Sequence, residues 1–322
     1  MKEYYSLSKV ILSEIKNAKN ILINIHRNPD LDSIGSSTAL YQVLTKTFKK
    51  KVTLICPDKV PENFIFLNGA ERTKKINFSK FDFSPYDLFL IVDSGSYDIV
   101  TDSKEIKLPK IKKIVIDHHR TNMFSDSEIK LYDELSATCE IIYQMFIDWK
   151  VKIDKDTATS LFSGIAGDTV FFKYGENTKL TFKIATELLD LGADKDKLIE
   201  QAFDNFDFKL VQTMGEFLIK MQKGNNFVYS IIDNETFKKF GKHRGARETV
   251  ANLFARSIKG FDFGIMAVEY KKEEFAVSFR SKSNTDVSEI AKKFGGGGHK
   301  NAAGATIKGN IDQVIKKLKK IT

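Results

Sequence analysis

The sequence predicts an α/β protein in which an N-terminal domain with a parallel sheet precedes a smaller α/β domain. Short apolar runs alternate with amphipathic segments, as they do where helices connect the parallel strands of a sheet. Three of these runs end abruptly in acidic or histidine side chains. After Gly224 the pattern changes, and strand-like runs dominate. At 322 residues the chain is long enough to form two cores.

Helices and strands alternate in the first part of the chain. The spacing of apolar residues predicts a helix over residues 6–17, and residues 21–25 resemble a buried strand. We expect the next helix over residues 34–47, with Ser33 as its N-terminal cap. Further buried strands are expected at 52–56, 88–92 and 111–116, and residues 57–86 have no regular pattern.

The segments that follow are expected to be mostly helical. Helices are predicted over residues 136–149, from a cap at Asp156 through Ile165, over 181–191 and over 197–221. The last of these lacks strong helix breakers, so we expect it to connect the domains. The predicted limits are an N-terminal domain at 1–195, a helical linker at 196–224 and a C-terminal domain at 225–322. In the C-terminal domain, strands are expected at 227–232, 263–268 and 275–279.

Composition narrows the class of protein only slightly. The formal charge of +9 favours polyanionic partners, although abundant lysine on solvated helix faces would produce the same value. Cys56 and Cys139 are the only cysteines and lie far apart, which argues against a disulfide framework or a cysteine zinc site. No run of about 20 apolar residues predicts a membrane span, and residues 1–9 do not resemble a secretory signal. We therefore expect a cytoplasmic protein.

Chemically active side chains follow three of the predicted strands. His26, Asp30 and Asp32 lie between one strand and a helix, Asp93 follows another strand, and Asp117-His118-His119 ends a third. The carboxyl ends of parallel strands meet at one edge, where open α/β sheets bind ligands. Such crowded acids favour a cation, whereas a single aspartate there would serve as a turn or capping residue.

Neighbouring side chains in an extended backbone point to opposite sides. One imidazole of the His118-His119 pair would then bind a metal while the other faces a substrate. Asp168, in Gly164-Ile165-Ala166-Gly167-Asp168-Thr169, is the candidate for a last metal ligand. The small residues before it permit close backbone approach.

A glycine-rich stretch marks the smaller domain. Gly295 to Gly298 precede His299, and the backbone N–H groups of such a loop can bind an anion, helped by a helix expected to start at Ala302. Arg280 directly follows a predicted strand, and with His299 it would supply hydrogen bonds to phosphate or base. A flexible linker is the alternative interpretation of the glycines.

Together these residues resemble the motifs of one family, the DHH phosphoesterases. The four motifs are His26-x-x-x-Asp30-x-Asp32, Asp93, Asp117-His118-His119 and Gly-Ile-x-x-Asp168-Thr, and the glycine-histidine stretch resembles the C-terminal domain that often accompanies them. The likeness covers nearly the whole chain, and its size resembles the nanoRNase/pAp-phosphatase branch. Leu31 stands where many members carry glycine, a difference that removes no ligand.

The resemblance implies two divalent cations, usually Mn²⁺. His26, Asp30 and Asp93 would hold the first, and Asp32, Asp93, His118 and Asp168 the second, with Asp93 bridging. Asp117 would orient an imidazole or occasionally bind a cation directly. His119 would face the substrate and protonate the leaving oxygen or stabilise the phosphoryl charge. The substrate-binding residues would be Arg280, Gly297, Gly298 and His299.

The implied activity is that of a metal-dependent phosphoesterase acting on short oligoribonucleotides and on 3′-phosphoadenosine 5′-phosphate (pAp). Short RNA and pAp would be its partners, without a membrane, and a homodimer is considered as its assembly. A cyclic- or linear-dinucleotide phosphodiesterase is an alternative within the class. A pyrophosphatase would lack the glycine-histidine loop, and a non-catalytic nucleotide-binding regulator is the alternative from another class.

Overall fold

A computed structural model describes residues 4–320 except 102, 104, 105, 107, 120–123, 125–128, 174–177, 244, 283 and 284, and it leaves the side chains of Arg256 and His299 undescribed. The chain divides into two compact units, which we call unit 1 (Met1–Asn205) and unit 2 (Phe206–Thr322). The predicted α/β class is confirmed, with a parallel sheet in the first unit and a second sheet in the other.

The sheet of unit 1 has six strands, and every neighbouring pair is parallel. Its strands are β1 (Asn20–Asn24), β2 (Lys51–Cys56), β3 (Lys74–Lys75), β4 (Leu88–Val92), β5 (Lys112–Asp117) and β6 (Ile129–Tyr132). Their spatial order, β3-β2-β1-β4-β5-β6, reverses direction between β1 and β4. At such a reversal the loops that follow two adjacent strands separate, and the resulting crevice is the usual ligand site of an open α/β sheet. The short strands β3 and β6 were not predicted from the sequence.

Seven α-helices of the described residues belong to unit 1. They are α1 (Ser6–Asn17), α2 (Leu31–Lys46), α3 (Tyr97–Thr101), α4 (Thr138–Asp148), α5 (Lys155–Asp168), α6 (Lys179–Asp190) and α7 (Lys195–Ile199). α2 and α5 pack at very short range because glycines replace side chains at their contact. A Cβ at Gly35 would lie 2.4 Å from Ser160 O, and one at Gly164 would lie 2.7 Å from Asp32 Oδ1.

Two helix starts differ from the prediction. Asp30, not Ser33, caps α2, because its Oδ1 accepts the Ser33 N–H at 2.9 Å while Ser33 Oγ accepts the N–H of His26. Asp154, not Asp156, caps α5, and its Oδ1 accepts the Thr157 N–H at 2.9 Å. In both helices the acid that fits the capping geometry precedes the predicted start. At the other end of α5, Asp168 is the last residue of the helix rather than part of a following loop.

Unit 2 contains a mixed sheet in the order β11-β12-β10-β9-β8-β7. The strands are β7 (Gln222–Lys223), β8 (Phe227–Ile232), β9 (Phe263–Lys271), β10 (Glu274–Ser281), β11 (Gly297–His299) and β12 (Ala302–Lys308). The helices are α8 (Phe208–Ile219), α9 (Asn234–Lys239), α10 (Gly245–Leu253), α11 (Val287–Lys292) and α12 (Ile311–Lys319). One core includes Val287 and Leu318, and a second includes Phe217 and Val250.

The segment expected as a helical linker, 196–224, is interrupted near its middle. A π-helical turn, Glu200–Asp204, follows α7, and Asp207 then caps α8 by accepting the N–H groups of Lys209 and Leu210. Phe217 of α8 is buried within a core of unit 2. α8 therefore belongs to the second unit.

The glycine-rich stretch forms a hairpin, so the predicted helix start at Ala302 is wrong. β11 pairs antiparallel with β12, with His299 opposite Ala302. A Cβ at Gly298 would lie 2.5 Å from Ala302 O, so glycine permits this close pairing of strands. Arg280 lies inside β10, also opposite Ala302, rather than after the strand.

None of the helices formed by the described residues combines the length and apolar character needed to span a bilayer.

Candidate metal centre

Acidic and histidine side chains from five segments of unit 1 meet at the carboxyl edge of its sheet. The loop after β1 carries His26 and Asp30, and the first turn of α2 carries Asp32. The residue after β4 is Asp93, β5 leads into Asp117, His118 and His119, and α5 ends at Asp168. All the metal ligands predicted from the sequence therefore lie at this one edge.

His26 lies between two carboxylates. Its Nε2 is 3.5 Å from Asp30 Oδ1 and 3.5 Å from Asp93 Oδ2. Its Nδ1 is 2.7 Å from the backbone oxygen of Arg27. An Nδ1–H that donates to this carbonyl leaves the Nε2 lone pair directed at the acids, as second-sphere hydrogen bonds do for metal-bound histidines.

His118 repeats this arrangement with a different pair of acids. Its Nε2 is 3.2 Å from Asp168 Oδ2 and 3.6 Å from Asp93 Oδ1, while Nδ1 is 3.0 Å from Leu135 O. The buried Nε2 makes no hydrogen bond with any residue that the structure describes. Both histidines thus present the same ring nitrogen to a carboxylate pair that includes Asp93.

The N-terminus of α4 holds two of the acids. The N–H groups of Thr138 and Cys139 donate to the two oxygens of Asp32 at 2.6 and 3.0 Å, and Thr138 Oγ1 donates to Asp93 Oδ1 at 3.0 Å. Sequence reasoning predicted a helix start here but missed these contacts. Asp32 and Thr138 are 106 residues apart in the chain, and no local pattern links them.

Burial and neighbouring charges shift the pKa values of three side chains in the centre. Burial raises the pKa of Asp32 well above its usual value, with help from the charges of Asp93 and Asp168. Burial likewise raises the pKa of Asp168 to about 6, although contact with His118 opposes the shift. Burial would lower the pKa of His118, but Asp168 and Asp93 raise it to about 11. These buried carboxylates therefore require positive charge beside them.

His119 is oriented by its neighbour Asp117. The fully buried Asp117 accepts from His119 through Oδ1, at 2.7 Å from the ring Nδ1 and 3.2 Å from the backbone nitrogen. The rings of His118 and His119 lie side by side, with centroids 4.4 Å apart. The prediction that they point to opposite sides is wrong, because β5 ends at Asp117 and the two histidines lie beyond the extended strand.

The donor set fits divalent cations. Three groups of described residues each bring their ligand atoms within 4.8 Å of one another: His26-Asp30-Asp93, Asp32-His118-Asp168 and Asp93-His118-His119. Carboxylate oxygens and imidazole nitrogens without thiolates suit Mn²⁺ and similar ions. Asp117 Oδ2 is also buried without a hydrogen bond from any described residue.

The predicted substrate residues lie in unit 2. Arg280 Nε donates to Asn252 Oδ1 at 2.6 Å, and its Nη1 donates to the backbone oxygens of Phe279 and Ala303 at 2.9 and 3.4 Å. Gly297 and Gly298 are exposed in β11. The side chain of His299 lies outside the described residues.

Comparison with protein families identifies both units. Residues 20–165 match the N-terminal domain of the DHH family, and residues 224–322 match the DHHA1 domain. The chain therefore contains a DHH N-terminal domain followed by a DHHA1 domain. The resemblance seen in the sequence motifs is confirmed.

Several relatives of this chain have names that state an activity. The chain is 25% identical over 296 residues to the bifunctional oligoribonuclease and PAP phosphatase NrnA of Bacillus subtilis, covering 89% of each chain. It is 26% identical to the protein of the same name from Thermus thermophilus, covering 98% of this chain and 93% of that protein. A crystal structure of an exopolyphosphatase-related protein from Bacteroides fragilis superposes with a TM-score of 0.91 at 25% identity, covering 100% of this chain and 97% of that one.

Proposed function

We propose that this protein is a divalent-metal-dependent phosphoesterase that hydrolyses short oligoribonucleotides and removes a phosphate from pAp. The names of the relatives from Bacillus subtilis and Thermus thermophilus support the substrate class. The observation that carries the proposal is the pair of overlapping ligand groups around Asp93, one with His26 and the other with His118.

Two cations, with Mn²⁺ as the proposed ion, would occupy these groups. His26, Asp30 and Asp93 would hold one of them. The second would be held by Asp32, Asp93, His118 and Asp168, so that Asp93 serves both. Divalent cations in such a site would supply an acidified water and would neutralise charge on the phosphoryl oxygens.

The chain's own residues orient the site and move a proton. Burial would lower the pKa of His119, but its hydrogen bond to Asp117 and the charge of Asp93 raise the pKa above its usual value. A protonated His119, with Nδ1 engaged by Asp117, would donate its Nε2 proton to the leaving oxygen. Thr138 and the backbone of α4 keep Asp32 and Asp93 in place while charge develops.

Residues of unit 2 would bind the nucleotide. Arg280 carries a permanent charge suited to phosphate, and the exposed Gly297 and Gly298 allow a phosphate to approach the backbone closely. His299 would add a directed hydrogen bond. Asn252 and the carbonyl oxygen of Ala303 restrain the guanidinium of Arg280.

A product-resolved assay tests the proposal. Ribonucleotides of two to five residues, pAp and cyclic dinucleotides would be incubated side by side with the protein and Mn²⁺, with chelator added to a parallel set. We expect mononucleotides from the short RNAs and AMP with phosphate from pAp, both abolished by chelator. Hydrolysis restricted to dinucleotides would favour the dinucleotide phosphodiesterase, and no turnover with any divalent cation would favour the binding regulator.

A further inference from the structure

We infer that Asn24 is a positioning residue for the metal centre, because its side-chain amide fixes the turn that carries Asp93. This inference rests on the proposed function, since it concerns how the proposed bridging carboxylate is held.

Asn24 holds the backbone on both sides of Asp93. It is the last residue of β1 and is fully buried. Its Oδ1 accepts the N–H of Val92 at 3.1 Å, and its Nδ2 donates to Ser94 Oγ at 3.3 Å. Ser94 Oγ in turn donates to Val92 O at 3.0 Å, which closes a small hydrogen-bonded loop around Asp93.

The turn needs this support for two reasons. Asp93 has φ of 51°, a left-handed conformation that is costly for a residue with a Cβ and persists only where its surroundings enforce it. In addition, the register between β1 and β4 ends at Ile23 and Leu90. Beyond that point the Asn24 side chain takes over the role of the strand partner and satisfies the N–H of Val92.

An apolar residue would be the ordinary occupant of this position. β1 is otherwise buried and apolar from Ile21 to Ile23, and a buried amide is unfavourable unless its hydrogen bonds are made. The amide at position 24 forms its bonds only with the two neighbours of Asp93 among the described residues. Since Asp93 Oδ1 and Oδ2 face different histidines, a rotated turn would misplace the ligands of both proposed cations together.

The test measures metal affinity apart from turnover. Mn²⁺ alone would be titrated calorimetrically into the full chain carrying Asn24→Ala, Ser94→Ala, both changes, or Asn20→Ala. Asn20 is a matched control, because it lies at the other end of β1 and its Nδ2 also donates to a neighbouring segment, at Pro85 O. Turnover of bis(p-nitrophenyl) phosphate and the unfolding midpoint in chelator would be recorded for each variant.

We expect Asn24→Ala to raise the apparent Kd for Mn²⁺ by about 10- to 100-fold and to lower kcat while KM for the diester changes little. Ser94→Ala should cause a smaller loss of affinity, because it leaves the Val92 contact intact. The double variant should bind Mn²⁺ no more weakly than Asn24→Ala, because both changes disrupt the same hydrogen-bonded loop around Asp93. Asn20→Ala should bind Mn²⁺ as the wild type does.

Unchanged Mn²⁺ affinity in folded Asn24→Ala, or equal losses in Asn24→Ala and Asn20→Ala, would overturn the inference. If Asn24→Ala does not fold, the Mn²⁺ affinity of Ser94→Ala becomes the deciding measurement. A wild-type affinity in Ser94→Ala would then overturn the inference. A wild-type chain that binds no Mn²⁺ would instead contradict the proposed function itself.

Discussion

At the scale of single residues, Asp93 makes the contacts on which the proposed centre depends. Its Oδ2 faces His26, and its Oδ1 faces His118 and His119 and accepts from Thr138. Burial would raise the pKa of Asp93, but contact with His26 and the charges of His119 and His118 hold it below its usual range. Asp93 is therefore an ionised carboxylate surrounded by groups that suit a bridging ligand.

Replacing this residue tests its proposed role. Asp93→Ala should lower kcat for a phosphodiester by about 100-fold or more, because both proposed cations lose a ligand at once. Circular dichroism should show an intact fold. Asp82→Ala, in the exposed loop before β4, is the control and should leave turnover unchanged. Turnover by Asp93→Ala near the wild-type rate would refute the bridging role.

At the scale of elements, α5 delivers Asp168 to the centre through close packing. A Cβ at Gly167 would lie 2.6 Å from the Cβ of Leu31, so the helix lies directly on the residue between Asp30 and Asp32. Leu31, which stands where the motif resemblance expects glycine, fills this contact and is buried. The position of Asp168 thus depends on how closely α5 packs against α2.

The cap of α5 gives a prediction about stability. Asp154→Ala should lower the free energy of unfolding by about 1 kcal/mol at pH 7, because the Thr157 N–H loses its acceptor. Partial burial would raise the pKa of Asp154, but Lys46 and Thr157 hold it below its usual value. A carboxylate with a depressed folded-state pKa stabilises fully above about pH 4 and loses its effect as pH falls further.

Urea unfolding at pH 7 and at pH 3 would check this prediction. The difference between Asp154→Ala and wild type should shrink at pH 3, because the carboxyl group of the unfolded wild type then binds a proton more readily than that of the folded protein. Asp156→Ala is the matched control, since Asp156 lies inside the first turn and should matter less. A larger loss from Asp156→Ala would mean that the cap is assigned to the wrong acid.

At the scale of the whole molecule, the two units carry different chemistry. Unit 1 gathers acids and histidines, whereas unit 2 presents a cation, Arg280, and an exposed glycine hairpin. Under the proposed function, the first unit would cleave the bond and the second would recognise the nucleotide. Substrates that lack a nucleotide should therefore be insensitive to changes in unit 2.

Arg280→Ala should raise KM for pAp by about 10- to 100-fold, since a charge-assisted hydrogen bond contributes about 1.5–3 kcal/mol. Hydrolysis of bis(p-nitrophenyl) phosphate should stay near the wild-type rate. Lys271→Ala removes an exposed charge of the same unit and serves as the control. Equal losses on both substrates would place Arg280 in the chemistry or in folding instead.

Much of the centre could be predicted because sheet topology makes distant residues neighbours. The apolar runs that end at Asp93 and at Asp117-His118-His119 were sufficient to predict that these side chains meet, because parallel strands end at one edge of the sheet. The contacts of Thr138 with Asp32 and Asp93 could not be predicted, because they depend on the packing of helices remote in sequence. The hairpin after Gly296 was missed because glycine tolerates both a loop and a tight strand pairing.

The most direct test of the account is anomalous scattering at the manganese edge from crystals of the protein grown with Mn²⁺. Two anomalous peaks are predicted, one contacted by His26, Asp30 and Asp93 and the other by Asp32, Asp93, His118 and Asp168. Manganese bound elsewhere, or no peak beside these side chains, would contradict the proposal that they form a paired metal site.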